Sequence, residues 1–173
     1  MTSADPNPEL ANFLAHSLEL EAEAQQRYGE LAASMASHRN QPVAEFFRRM
    51  ATEAEHHQQE VVELAAGMVL PQLKAWEFDW PGAEAPETSS YETLHYRMSL
   101  REAMALALAN ERAAEQYYRS FASDSDDPAT VAAATRFADE ERGHAAALGR
   151  LIAALPEQAV YHREEDDEPH MPE

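Results

Sequence analysis

The stretches Glu53-Ala54-Glu55-His56 and Glu141-Arg142-Gly143-His144 repeat one Glu-x-x-His pattern. The fold of the chain is predicted from this repeat. Each copy follows a helical stretch that carries a lone glutamate on its apolar face, Glu21 before the first copy and Glu111 before the second. Residues three apart on an α-helix share one face. Four carboxylates and two imidazoles turned into a helix bundle are costly unless cations lie among them. The pattern therefore predicts an all-α bundle built around a pair of divalent metal ions.

Four long helices are predicted from the periodic apolar residues around these motifs. The first is predicted over about Pro8–Ser37 and the second over about Pro42–Gly67. The third is predicted to begin at Ser99, which forms a capping box with Glu102, and the fourth at Asp127-Pro128. The inner face predicted for the second helix consists of Phe46, Met50, Glu53, His56, Leu64 and Met68.

The lengths of the connections predict how the helices are joined. Short connections at His38–Gln41 and Ser123–Asp127 predict two antiparallel helix hairpins. A long connection, about Val69–Met98, predicts a crossover between the two hairpins, which gives a four-helix bundle with one long crossover. We expect one domain over residues 9–155, followed by an acidic C-terminal tail over residues 156–173.

Composition narrows the classes of function. The 173 residues include no cysteine, which excludes disulfides and thiolate metal sites from this sequence. The formal net charge of −19 disfavours binding to nucleic acid or to an anionic membrane surface. No apolar run approaches the roughly 20 residues needed to span a bilayer, and the N-terminal residues lack the pattern of a signal peptide. The expected location is the cytoplasm.

The spacing of the motifs predicts how the metal ions are held. Each motif can supply one ion with an imidazole. The glutamates of the two motifs, Glu53 and Glu141, can each bridge both ions. Carboxylates with one imidazole per ion suit Fe or Mn, and Zn also accepts them. His57 points about 100° away from His56 and is predicted to lie on the flank of its helix. The predicted metal ligands are Glu21, Glu53, His56, Glu111, Glu141 and His144.

Two tyrosines repeat with the lone glutamates. Tyr28 follows Glu21 by seven residues, and Tyr118 follows Glu111 by seven residues. Both lie two turns further along the same helix face, where they can hydrogen-bond to a ligand or donate an electron. An alternative is that both are ordinary core residues of amphipathic helices.

At these residues the chain resembles the rubrerythrin and bacterioferritin branch of the ferritin-like superfamily. The resemblance extends over about Glu9–Leu155 and rests on Glu21–Tyr28, Glu53–His56, Asn110-Glu111-Arg112 with Tyr118, and Asp139–His144. It implies a non-haem di-iron oxidoreductase that reacts with hydrogen peroxide or dioxygen, takes electrons from a separate donor protein and forms a homodimer.

The sequence departs from rubrerythrins at one position and leaves other functions open. Where rubrerythrins carry an additional carboxylate in the third helix, this chain has Ala114, and Glu115 would need a different side-chain direction to reach the site. The alternatives are iron storage or sequestration, a di-iron hydroxylase acting on an organic substrate, and a structural zinc site.

Overall fold

The computed structural model describes residues 7–74 and 96–157, which form a bundle of four α-helices. The helices are α1 (Pro8–Ser37), α2 (Gln41–Leu64), α3 (Leu100–Asp124) and α4 (Pro128–Ala154). This confirms the predicted all-α bundle. Most of the predicted crossover, residues 75–95, lies outside the described residues, as do residues 158–173 of the predicted acidic tail. Among the helices described here, none combines the length and the apolar character needed to cross a membrane.

Side-chain caps fix the beginnings of three helices. Ser99 and Glu102 form the predicted capping box, in which each side chain accepts a hydrogen bond from the backbone N–H of the other. Asp127 accepts a hydrogen bond from the Thr130 backbone at 2.8 Å, so the predicted start of α4 is also confirmed. The side chain of Asn7 caps α1 in the same way. These starts are local features, because a cap and its partner are three residues apart.

Contacts at the two ends of the bundle fix the directions of the helices. Asn40, before α2, donates a hydrogen bond to the carbonyl of Met98, before α3, at 2.8 Å. At the opposite end, Asn7, before α1, donates to Asp127, before α4, at 3.0 Å. Thus α2 runs parallel to α3, and α1 runs parallel to α4. The end of α2 and the start of α3 lie at opposite ends of the bundle, as a crossover requires.

The core is divided into two apolar clusters. One cluster lies where α2 and α3 begin and includes Tyr28, Met35, Phe47, Met50 and Met104. The other lies where α1 and α4 begin and includes Phe13, Leu14, Val61, Tyr117 and Phe137. The two clusters leave a polar layer between them near the middle of the helices, which the apolar packing shields from water.

The inner face of α2 differs from the prediction by about one residue. Its buried stripe contains Val43, Phe47, Met50, Ala54, Val61 and Ala65. His57 continues this stripe between Ala54 and Val61. From Val43 to His57 the spacing alternates between four and three residues. Glu53, His56 and Leu64, which were predicted to face inward, are exposed. The prediction aligned the helix on its Glu-x-x-His motif, whereas packing of the small Ala54 and the branched Val61 sets its rotation.

Candidate metal centre

All four helices contribute ionisable side chains to the polar layer. Glu21 comes from α1, His57 from α2, Glu111 from α3, and Glu141 and His144 from α4. The three carboxylates are almost fully buried, with 2%, 6% and 2% of their surface exposed for Glu21, Glu111 and Glu141. Buried carboxylates this close together require protons or cations to balance their charge.

Glu141 lies close to both imidazoles. Its Oε1 is 3.5 Å from Nδ1 of His57, and its Oε2 is 3.6 Å from Nδ1 of His144. The two imidazole rings are stacked, with centroids 4.8 Å apart and planes 15° from parallel. One donor atom each from His57, Glu141 and His144 therefore lies within 4.8 Å of the others. These three side chains are placed to share a metal ion.

Glu21 and Glu111 stand on either side of this carboxylate. Oε2 of Glu21 is 3.5 Å from Nδ1 of His57, and Oε2 of Glu111 is 3.9 Å from Nδ1 of His144. Each imidazole is thus shared between Glu141 and one further glutamate. Each hairpin therefore contributes one pair of a glutamate and an imidazole, Glu21 with His57 and Glu111 with His144.

Two tyrosines lie next to the layer, and they make different contacts. The hydroxyl of Tyr118 donates a buried hydrogen bond of 3.0 Å to Oε1 of Glu21. The hydroxyl of Tyr28 accepts a hydrogen bond of 3.2 Å from Asn110. Tyr118 can therefore orient a carboxylate of the site from the opposite hairpin. The predicted roles of the two tyrosines in catalysis stay predictions.

The protonation of the cluster reflects its burial. Burial raises the pKa of Glu111 well above its ordinary value, and the hydrogen bond with Glu141 raises it further. Burial raises the pKa of Glu141 from 4.5 to about 8. Burial by itself would lower the pKa of His57, but its hydrogen bond to Glu21 and the surrounding carboxylates outweigh this effect and raise the pKa from 6.5 to about 9. Without metal, the layer holds protons near neutral pH to balance its charge.

The donor atoms fit divalent cations. Oε2 of Glu141 and Nδ1 of His144 are buried, face each other at 3.6 Å, and have no hydrogen-bond partner among the described residues. Buried polar atoms without a partner are costly, and a shared cation would satisfy both. Carboxylate oxygens and imidazole nitrogens together suit Fe, Mn or Zn. The arrangement can therefore hold a metal ion.

The structure brings together four of the six predicted ligands: Glu21, Glu111, Glu141 and His144. It reverses the predicted placement of the two adjacent histidines, because His56 is exposed and His57 reaches the cluster. The expectation that His57 lies on a flank is therefore wrong. Glu53 is exposed at the rim, where it lines one opening together with Glu111 and His144. The roles of these residues as ligands stay predictions.

Glu115 is directed away from the centre. Its Oε1 accepts hydrogen bonds from Arg119, whose other contact is with Asp139 at 2.8 Å. Ala114, which occupies the position of the additional carboxylate of rubrerythrins, is fully buried. The ion pair between Glu115 and Arg119 thus keeps a further carboxylate out of the site.

Two openings lead from the surface to the polar layer. The larger is a pocket of about 110 Å³ whose walls include Phe46, Met50 and Leu148, and Glu111 and His144 also line it. The smaller is a gap of about 10 Å³ beside His57 and Glu141, about the size of one water molecule. Small molecules can therefore reach Glu111 through the larger opening without unfolding of the bundle.

Comparisons with known proteins agree with this architecture. The family model for rubrerythrin matches residues 12–98, which is half of the chain. The search of curated proteins gave no match. Among solved structures, the chain is similar to the crystal structure of an uncharacterized conserved protein from Magnetospirillum magnetotacticum MS-1. The two share 34% sequence identity over 87% of this chain and 97% of the other, with a TM-score of 0.66.

Proposed function

The chain belongs to the rubrerythrin family of ferritin-like proteins, and on this premise we propose that it is a non-haem di-iron oxidoreductase. We propose that it reacts with hydrogen peroxide or dioxygen, as a peroxidase or ferroxidase in defence against oxidative stress. The observation that carries the proposal is the buried Glu141, which offers one oxygen to each of two imidazoles. Two iron ions, when bound, supply the electrons that reduce peroxide to water.

The side chains of the polar layer have separate roles in this proposal. Glu21, Glu111 and Glu141 would hold the metal pair through their carboxylates, and His144 would hold it through its imidazole. Tyr118 holds Glu21 in position through its 3.0 Å hydrogen bond. The protons that balance the charge of the metal-free layer leave when cations bind, so metal affinity should rise with pH.

The surroundings of the site support reaction with a small molecule. The pocket of about 110 Å³ reaches Glu111 and His144, so peroxide or dioxygen can approach the centre there. We propose that electrons come from a separate donor protein, since the sequence contains no cysteine for an iron–sulfur or rubredoxin-type site. A homodimer in the cytoplasm is part of the same proposal.

The proposal is tested by loading the metal-free protein with Fe(II) without oxygen and then adding hydrogen peroxide in a stopped-flow instrument. We expect about two iron ions per chain, and we expect their oxidation to be at least about tenfold faster than that of free Fe(II). The matched variant is Glu141→Ala, which removes the bridging carboxylate and should impair binding of both ions.

Two outcomes would contradict the proposed activity. Oxidation no faster than that of free Fe(II) would exclude a redox role for the site. Binding of many iron ions per chain in a large assembly would favour the storage alternative instead. Full two-metal occupancy in Glu141→Ala would show that this carboxylate does not bridge.

A further inference from the structure

We propose that His57, and not His56, is the imidazole that α2 contributes to the metal pair, with Glu53 as the carboxylate one turn before it. The inference rests on the proposed metal-binding function and deepens it by assigning the ligands of α2. It replaces the predicted Glu-x-x-His pattern of α2 with Glu-x-x-x-His.

The first argument is the position of the two imidazoles. Nδ1 of His57 lies 3.5 Å from a carboxylate oxygen of Glu21 and 3.5 Å from one of Glu141. Its side chain is 19% exposed, and its ring stacks on that of His144. His56 is exposed. A nitrogen already within reach of two buried carboxylates can join them on a shared cation without a change in the helix.

The second argument is that packing fixes the rotation of α2. Ala54 and Val61 are buried on either side of His57 in the sequence, with 5% and 2% of their surface exposed. Gln58 donates hydrogen bonds to the backbone carbonyl of Glu21 at 3.3 Å and to the side chain of Gln25 at 2.6 Å. Bringing His56 inward requires a rotation of about 100°, which would expose both apolar residues and break both bonds.

The third argument is the equivalence of the two hairpins. Each has a three-residue connection between its helices, residues 38–40 in one and 125–127 in the other. Since α2 begins at Gln41 and α4 begins at Pro128, His57 and His144 are each the seventeenth residue of their helix. Counted from the helix starts, the two imidazoles that stack in the structure therefore occupy matching positions, and by the same count the α2 residue that matches Glu141 is Ala54.

Glu53 lies on the same side of α2 as His57, because residues four apart on a helix are neighbours on its surface. It lines the larger opening together with Glu111 and His144. The proposal assigns this carboxylate at the rim to the metal pair. The ligands proposed for α2 are thus the imidazole nitrogen of His57 and one carboxylate at the opening.

The adjacent histidines provide a matched pair of variants for the test, His57→Ala and His56→Ala. Each metal-free protein is titrated with Co(II), which is followed by its visible absorption, and retained metal is counted by mass spectrometry after desalting. We expect about two ions per chain in the wild type and in His56→Ala. In His57→Ala we expect loss of one ion, or at least about tenfold weaker binding of it. Circular dichroism reports whether each variant folds, and His57→Gln replaces His57→Ala if the latter does not fold.

The outcomes separate this inference from the proposed function. Absence of Co(II) binding in the wild type would overturn the metal-binding function itself. Two tightly bound ions in the wild type, with a loss in His56→Ala, would overturn the assignment of His57 while the function stands. Unchanged binding in a folded His57 variant would overturn it as well.

Discussion

The hydroxyl of Tyr118 is the contact through which α3 holds a carboxylate of α1. It donates the buried 3.0 Å hydrogen bond to Oε1 of Glu21. We predict that Tyr118→Phe leaves this oxygen without its donor and weakens metal binding about tenfold, the lower end of the usual effect of such supporting bonds. Isothermal titration with Zn(II) or Co(II) measures the change. Tyr117→Phe is the matched control, because it removes the hydroxyl of a neighbouring buried tyrosine whose ring packs 5.2 Å from that of Phe121. Equal losses in both variants would contradict a specific role for Tyr118.

At this same scale, the residues differ in how far the sequence predicts them. The inward direction of Glu21, Glu111 and Glu141 could be predicted, because each lies among large or tightly packed apolar residues on one face of its helix. For α2, two adjacent histidines compete for one inward position, and the Glu-x-x-His spacing favoured His56, which is exposed in the structure. The spacing of Val43, Phe47, Ala54 and Val61 is visible in the sequence and indicates His57. The ion pair of Glu115 with Arg119 joins residues four apart in α3, so the sequence could reveal it, whereas the contact of Arg119 with Asp139 joins two helices and follows from no local pattern.

At the scale of single elements, the connection between α1 and α2 contains a strained residue. Arg39 has a φ of 63°, and the N–H of Asn40 donates to the carbonyl of Met35 at 2.8 Å, the arrangement in which glycine usually ends a helix. We predict that Arg39→Gly raises the free energy of unfolding by up to about 1 kcal/mol, because glycine adopts this conformation without the steric penalty. Urea denaturation of the metal-free protein measures the change.

The contrasting variant is Gly67→Ala. Gly67 follows α2 with a φ of 80°, so alanine there should lower the free energy of unfolding by about 1 kcal/mol. Destabilisation by Arg39→Gly would show that the arginine side chain contributes more than the strain costs.

Helix ends and helix rotation differ in how far the sequence determines them. The starts of α3 and α4 were predicted correctly because Ser99 and Asp127 bond to residues only three positions away. The rotation of α2 depends on contacts with α1, such as that of Gln58 with Gln25, which are 33 positions apart. Local chemistry therefore predicts where elements begin, and tertiary packing decides which face they bury.

At the scale of the whole molecule, the buried charges make the stability of the metal-free protein depend on pH. The pKa values of Glu141 and His57 are raised from 4.5 to about 8 and from 6.5 to about 9, and that of Glu111 is also raised. The folded protein therefore binds more protons than the unfolded chain in this range, and the resulting stability is lost as pH rises through about 8 to 9. The pKa values of Asp127 and Asp139 are lowered below 3.8, so their contributions do not change between pH 6 and pH 9.

We predict that the melting temperature of the metal-free protein is lower at pH 9 than at pH 6, as measured by scanning calorimetry in the presence of a chelator. Glu141→Gln cannot release a proton at this position, so its melting temperature should change less over the same range. Metal binding should raise the melting temperature most at high pH, where cations no longer compete with protons. A metal-free protein that becomes more stable from pH 6 to pH 9 would contradict the assignment of these protonated groups.

The central claim is that side chains from all four helices meet around a pair of metal ions. Anomalous X-ray diffraction from crystals of the iron-loaded protein, recorded above and below the iron edge, tests it most directly. We predict two anomalous peaks within the polar layer, flanking Glu141 and contacted by Glu21, His57, Glu111 and His144. An iron-loaded crystal with no anomalous peak among these side chains would contradict it.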